Sequence, residues 1–129
     1  MEAASSSPLV LLVDDDAAVR RALKMLLASI GWQTVEAANA QEALGCLTDR
    51  FYDLVIVDIN MPGMNGIELC RLIHKNDNIA VPICLVLSGL VDDKVRKEAC
   101  LAGATSVLTK PLGRQDLIDE FKKHGLPCL

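Results

Sequence analysis

Leu9-Val10-Leu11-Leu12-Val13-Asp14-Asp15-Asp16 is a run of five apolar residues cut off by three acids. An unbroken apolar run of this length, without polar alternation, is the mark of a strand covered on both faces. Beyond the acids, Val19, Ala22, Leu23, Leu26, Leu27 and Ile30 recur at helical spacing, and Gly31 stops the helix. The first 31 residues therefore predict a buried strand, an acidic turn and an amphipathic helix.

The same unit repeats along the chain. Trp32–Glu36 reads as a second strand, and Asn39 with Glu42 has capping-box spacing ahead of Ala43, Leu44 and Leu47. Leu54–Val57 is a third strand ending at Asp58, and the Pro and Gly of Met61–Gly66 make a loop before Ile67, Leu69, Cys70 and Ile73. Pro82–Leu87 forms a fourth strand ending at Ser88-Gly89, followed by a helix over Val91–Ala102. Ser106–Thr109 is a fifth strand ending at Lys110-Pro111, and Leu117, Ile118 and Phe121 mark a last helix before Gly125 and Pro127. Strands alternating with helices demand crossovers, so the sheet is parallel. The fully apolar first, third and fourth strands belong at its centre, with the more mixed second and fifth at its edges. The expectation is one doubly wound α/β domain with a five-stranded parallel sheet.

Composition agrees. Of 129 residues, 51% are apolar, enough for a core, and 23% are charged, too few for a disordered tail. The net charge of −4 and the lack of a basic run argue against direct contact with nucleic acid or an anionic membrane surface. No Lys or Arg precedes the first apolar stretch, and Ile79–Val91, broken by Pro82 and Ser88, is too short to span a bilayer. Five cysteines, odd in number, scattered and without C-x-x-C, read as reduced small hydrophobes in a cytoplasmic protein, with Cys128 expected to be the most exposed.

In open parallel sheets the working site lies at the carboxyl ends of the strands. Those ends carry Asp14 and Asp15, Asp58, Ser88 and Lys110. Adjacent carboxylates repel unless a cation sits among them, and an open, oxygen-only set suits Mg2+. A hydroxyl and an ammonium opposite the metal complete a clamp for a phosphoryl group. Asp58, alone at the end of a central strand, is favoured as the nucleophile that would form an acyl phosphate. Singly, each residue has an ordinary reading: the acids could cap the first helix, Asp58 and Ser88 could be turn residues, and Lys110 could be a solvated edge lysine. Asp16 is expected to cap or face solvent. The conjunction of groups that one reaction needs, at four strand ends, decides for the site.

Leu11–Asp16, the stretch Val57-Asp58-Ile59-Asn60-Met61-Pro62-Gly63-Met64-Asn65-Gly66, Ser88-Gly89 and Lys110-Pro111 resemble the receiver domain of two-component response regulators. The likeness covers residues 8 to 124, and D-x-x-M-P-x-M-x-G is its most specific part. It implies a flavodoxin-like (βα)5 fold of strand order 2-1-3-4-5, with residues 1–7 a flexible segment, 8–125 the domain and 126–129 a tail. It implies that Asp58 accepts a phosphoryl group from a histidine kinase or phosphotransfer protein. Mg2+ would be held by Asp15, Asp58 and the Asn60 backbone carbonyl, with Asp14 acting through water. Ser88 and Lys110 would bind phosphoryl oxygens, and Pro111 would follow a cis peptide bond. The phosphorylated form would shift the face made by the fourth helix, fifth strand and fifth helix, signalling to a downstream protein or output domain. Pairing of two copies through that face is left open.

The chain departs from the family pattern at three places. Val107 stands where an aromatic residue is usual, Asn65 where an Asp is usual, and the apolar Leu90 borders with Asn60 the path of an attacking water. Trp32 is expected to serve packing. Two other classes compete. Asp14-x-Asp16 imitates the nucleophile pair of haloacid-dehalogenase phosphohydrolases, but Ala18 lacks the expected Thr or Val, no late acidic pair follows Lys110, and the chain is short for that fold. A receiver-like module binding partners without phosphorylation is compatible with Val107. A flavin carrier is disfavoured, because the acidic first loop would repel the FMN phosphate.

Overall fold

The structure, a computed structural model, describes residues 7–80 and 82–129. The segment expected to be flexible, 1–7, lies outside the described residues except for Ser7. The elements are β1 (Leu9–Val13), α1 (Ala17–Ser29), β2 (Gln33–Ala37), α2 (Ala40–Asp49), β3 (Leu54–Asp58), α3 (Gly66–Lys75), β4 (Ile83–Ser88), α4 (Asp93–Leu101), β5 (Ser106–Thr109) and α5 (Arg114–Lys123). All strand pairings are parallel and the order is β2-β1-β3-β4-β5, with β1, β3 and β4 central as their apolar content predicts and the order itself as the family resemblance implies.

Strand residues alternate between two faces, and the core divides accordingly. Leu11, Val13, Val55, Val57, Cys84 and Val86 pack with residues of α2, α3 and α4. Val10, Leu12, Leu54, Ile56, Leu85 and Leu87 pack on the other side with Leu23, Leu27, Leu117 and Phe121 of α1 and α5. β1 and β3 are buried at every position, which is why they show no polar alternation.

Helix starts follow capping chemistry. Asp16 accepts from the amides of Ala18 and Val19, Asn39 from Glu42, Asn65 from Glu68 and Asp92 from Val95. This corrects the fourth helix, expected from Val91: Asp92 is its cap, so the helix starts at Asp93. Gly31 follows α1 at φ 94°, a conformation costly for any residue with a Cβ. The chain end folds back on this turn. Trp32 Nε1 donates to the Pro127 carbonyl at 2.7 Å, the Leu129 amide donates to Ile30 at 3.1 Å, and the Trp32 ring lies 5.0 Å from that of Phe121. Cys128 is therefore half-buried, and the exposed cysteine is Cys100 on α4. Among the described residues, no helix is long and apolar enough to cross a membrane.

Candidate functional site

Strand register assembles the site. Val13 is level with Val57, Asp58 with Leu87, and Ser88 with Thr109. The next residues after β1 and β5, Asp14 and Lys110, therefore project at the same end of the sheet as Asp58 and Ser88. Carboxylate oxygens of Asp14, Asp15 and Asp58 lie within 4.8 Å of one another. Asp14 and Asp58 are buried and Asp15 is exposed. Lys110 Nζ lies 3.1 Å from Asp14 Oδ2 and 3.1 Å from Asp58 Oδ1.

The two buried acids are in different states. Asp14 accepts the Asp16 amide on Oδ1 at 2.9 Å and the Lys110 ammonium on Oδ2. Asp58 Oδ1 is buried and, despite the ion-pair distance to Lys110, receives no well-aligned hydrogen bond. Desolvation raises the Asp58 pKa above its ordinary value, and the Asp14 charge adds to the rise against the pull of Lys110. Burial works against the Lys110 charge, but its close pairing with the Asp58 and Asp14 carboxylates prevails and its pKa is raised. Three close carboxylates with one ammonium between them are short of positive charge. An oxygen-only, partly open set with an unspent buried acceptor fits a hard divalent cation.

Ser88 is buried at the end of β4, where its Oγ donates to the Leu90 carbonyl at 2.7 Å and accepts from the Leu90 amide. Asn60 is exposed in the loop after β3, and the Lys110–Pro111 bond is cis. Val107 is half-buried against the core.

Two residues hold this arrangement in roles the sequence does not declare: Gly66 is read there only as the closing glycine of the D-x-x-M-P-x-M-x-G stretch, and Arg20 is not singled out. Gly66 donates its amide to the Ile59 carbonyl at 3.0 Å, and a Cβ there would collide with the Asp58 carbonyl oxygen. Arg20 on α1 donates Nη1 to the Asp14 carbonyl at 2.6 Å and Nε to Glu36 of β2 at 3.0 Å. Beside Lys110, Val19, Ala22 and Leu26 of α1 face Leu112 across an apolar hollow of about 170 Å³.

The family model of the response regulator receiver domain matches residues 10–122. The chain belongs to this family. The receiver is 34% identical to the chemotaxis protein CheY of Pseudomonas aeruginosa over 116 residues, covering 88% of this chain and 93% of that one. It is 34% identical to the phosphate regulon transcriptional regulatory protein PhoB of the same organism over 115 residues, 88% of this chain and 49% of PhoB. The chain thus spans about half the length of some curated relatives it matches and nearly all of others. Among solved structures, the chemotaxis protein CheY4 of Vibrio cholerae superposes with a TM-score of 0.85 at 27% identity, covering 92% of this chain and 98% of that one. The receiver is accordingly a two-component signalling domain of CheY-like fold, and its acidic pocket suits a phosphoacceptor aspartate with a bound metal.

Proposed function

We propose that Asp58 accepts a phosphoryl group from a histidine kinase or phosphotransfer protein, and that the resulting acyl phosphate switches the α4-β5-α5 face. The observation that carries this reading is the contrast between the two buried acids. Both oxygens of Asp14 are engaged, whereas Asp58 keeps a buried oxygen without an aligned donor. In the transfer an Asp58 carboxylate oxygen attacks phosphorus while the bond to the donor's leaving group breaks. Lys110, already 3.1 Å from Asp58 Oδ1, stabilises charge on the incoming phosphoryl oxygens. Ser88 exchanges its bond to Leu90 for one to a phosphoryl oxygen, which draws the β4–α4 loop inward.

Asp15, Asp58 and the Asn60 carbonyl would hold Mg2+, with Asp14 acting through water. The ion would neutralise the acids and the phosphoryl oxygens. The domain catalyses only its own phosphorylation and dephosphorylation. The hollow between α1 and Leu112 gives an apolar side chain of the donor a seat beside Lys110. Residues 8–125 form the receiver unit and 126–129 its tail, working in the cytoplasm on a downstream protein or an output domain.

Intact mass after incubation with Mg2+ and acetyl phosphate, run beside Asp58→Asn, tests the reading. One added phosphoryl group that disappears with EDTA and with Asp58→Asn is expected. No adduct despite Mg2+ binding would favour a module that works unphosphorylated. Continuous phosphate release that survives Asp58→Asn but is lost in Asp14→Asn would favour a hydrolase.

A further inference from the structure

Away from the acidic pocket, Cys70 of α3 and Cys84 of β4 meet in the core with Sγ atoms 2.6 Å apart, and both residues are essentially buried, at 0% and 1% exposure. All five cysteines are free thiols in this state. We propose that Cys70 and Cys84 form a peroxide-oxidisable thiol pair whose disulfide staples α3 to β4.

Proximity supplies the geometry, since the two sulfurs need only a small approach to bond. Either sulfur can donate in the hydrogen bond between the thiols; the pairing lowers the Cys70 pKa and, together with burial, raises that of Cys84, which favours Cys70 as the attacking thiolate. Burial selects the oxidant, because a small uncharged molecule such as hydrogen peroxide can enter on local opening where a bulky disulfide cannot. The Cys70 thiolate attacks a peroxide oxygen, the O–O bond breaks, and a sulfenic acid and hydroxide form. The Cys84 sulfur then attacks the sulfenic sulfur, and the S–O bond breaks with loss of water. In total two thiols and one peroxide give one disulfide and two waters, the thiols losing two electrons and the peroxide gaining them.

The bond would join two elements that serve the site. Cys70 lies one turn along α3 from Gly66, which abuts Asp58, and Cys84 lies four residues before Ser88 on β4. Oxidation would tie the strand carrying Ser88 to the helix braced on Asp58.

The test uses the whole chain with Cys46, Cys100 and Cys128 replaced by Ser, treated natively with hydrogen peroxide and then alkylated in denaturant. Loss of two hydrogens, no alkylation, and recovery of two alkylatable thiols after dithiothreitol are expected. Tryptic mapping of the unsubstituted chain should join the peptides 51–71 and 76–94, which covers the event that the Ser variant folds poorly. The oxidised form should show a higher urea midpoint, because the cross-link restricts the unfolded chain. Two thiols still alkylating after peroxide, a sulfinic acid without a cross-link, or a lowered midpoint would overturn the proposal. None of these readouts depends on Asp58 being a phosphoacceptor.

Discussion

Lys110 Nζ stands 3.1 Å from Asp58 Oδ1 and equally far from Asp14 Oδ2, so one ammonium is shared between two buried carboxylates. Among the described residues it is the one cation placed among the three close acids, and its side chain is 26% exposed. The pocket is held together by a group that a divalent cation could partly relieve of that task.

Lys110→Ala should lower stability at pH 7 by about 2 kcal/mol, because it strands two buried carboxylates. Millimolar Mg2+ should restore most of the loss, and should restore much less in Lys110→Ala combined with Asp15→Asn. Urea midpoints with and without the ion measure both effects. The raised Lys110 pKa means that its stabilisation is complete below the ordinary 10.5 and fades only as pH climbs through the higher folded-state value. Equal Mg2+ responses in the two variants would remove Asp15 from the metal site.

Asp58→Asn should behave in the opposite sense. A carboxyl whose pKa is raised in the folded state binds its proton more tightly there, so the ionised form costs stability. That cost is absent below the ordinary 3.8 and grows as pH rises through the folded-state pKa. The variant should gain about 1 kcal/mol at pH 7, with a smaller gain at pH 4. Paired urea titrations at the two pH values check the sign, and a variant less stable at pH 7 would contradict a desolvated Asp58.

Gly66→Ala should cost about 2 kcal/mol, since the new methyl meets the Asp58 carbonyl, which belongs to a buried strand and has little room to yield. Labelling by acetyl phosphate should slow as well, because the collision displaces the backbone of the acceptor itself. Wild-type labelling at reduced stability would limit Gly66 to packing.

Arg20→Ala should cost about 1.5 kcal/mol by releasing the Asp14 carbonyl and Glu36 together. Glu36→Gln should cost less, as the bond to Asp14 survives it. A comparison of the two midpoints, and of Mg2+ affinity in each, shows which contact steadies the pocket. Equal losses would mean that the surface pair with Glu36 carries the effect.

Much of this molecule is legible in the chain because strand burial and strand-end chemistry are local. Leu9–Val13 and Leu54–Val57 are apolar throughout since both faces are covered, and the residues that follow them are the site acids. The roles of the residues that brace the site are silent in sequence, even for Gly66 inside the quoted motif, because their partners are distant or are backbone. Arg20 reaches Glu36 sixteen positions on, and Gly66 matters for the side chain it lacks. Cys70 and Cys84 look unrelated until α3 lies on β4, and Cys128 is sheltered only because the tail folds back on the α1–β2 turn.

That folded tail gives the receiver an optical gauge. Trp32 is the chain's single tryptophan, and its buried indole touches Phe121 of α5 and donates to Pro127. Its emission therefore registers the seating of α5 and the tail with no second fluorophore of its kind to subtract. A rearrangement of the output side that reaches α5 will shift that light, while events confined to the carboxylates will leave it unchanged.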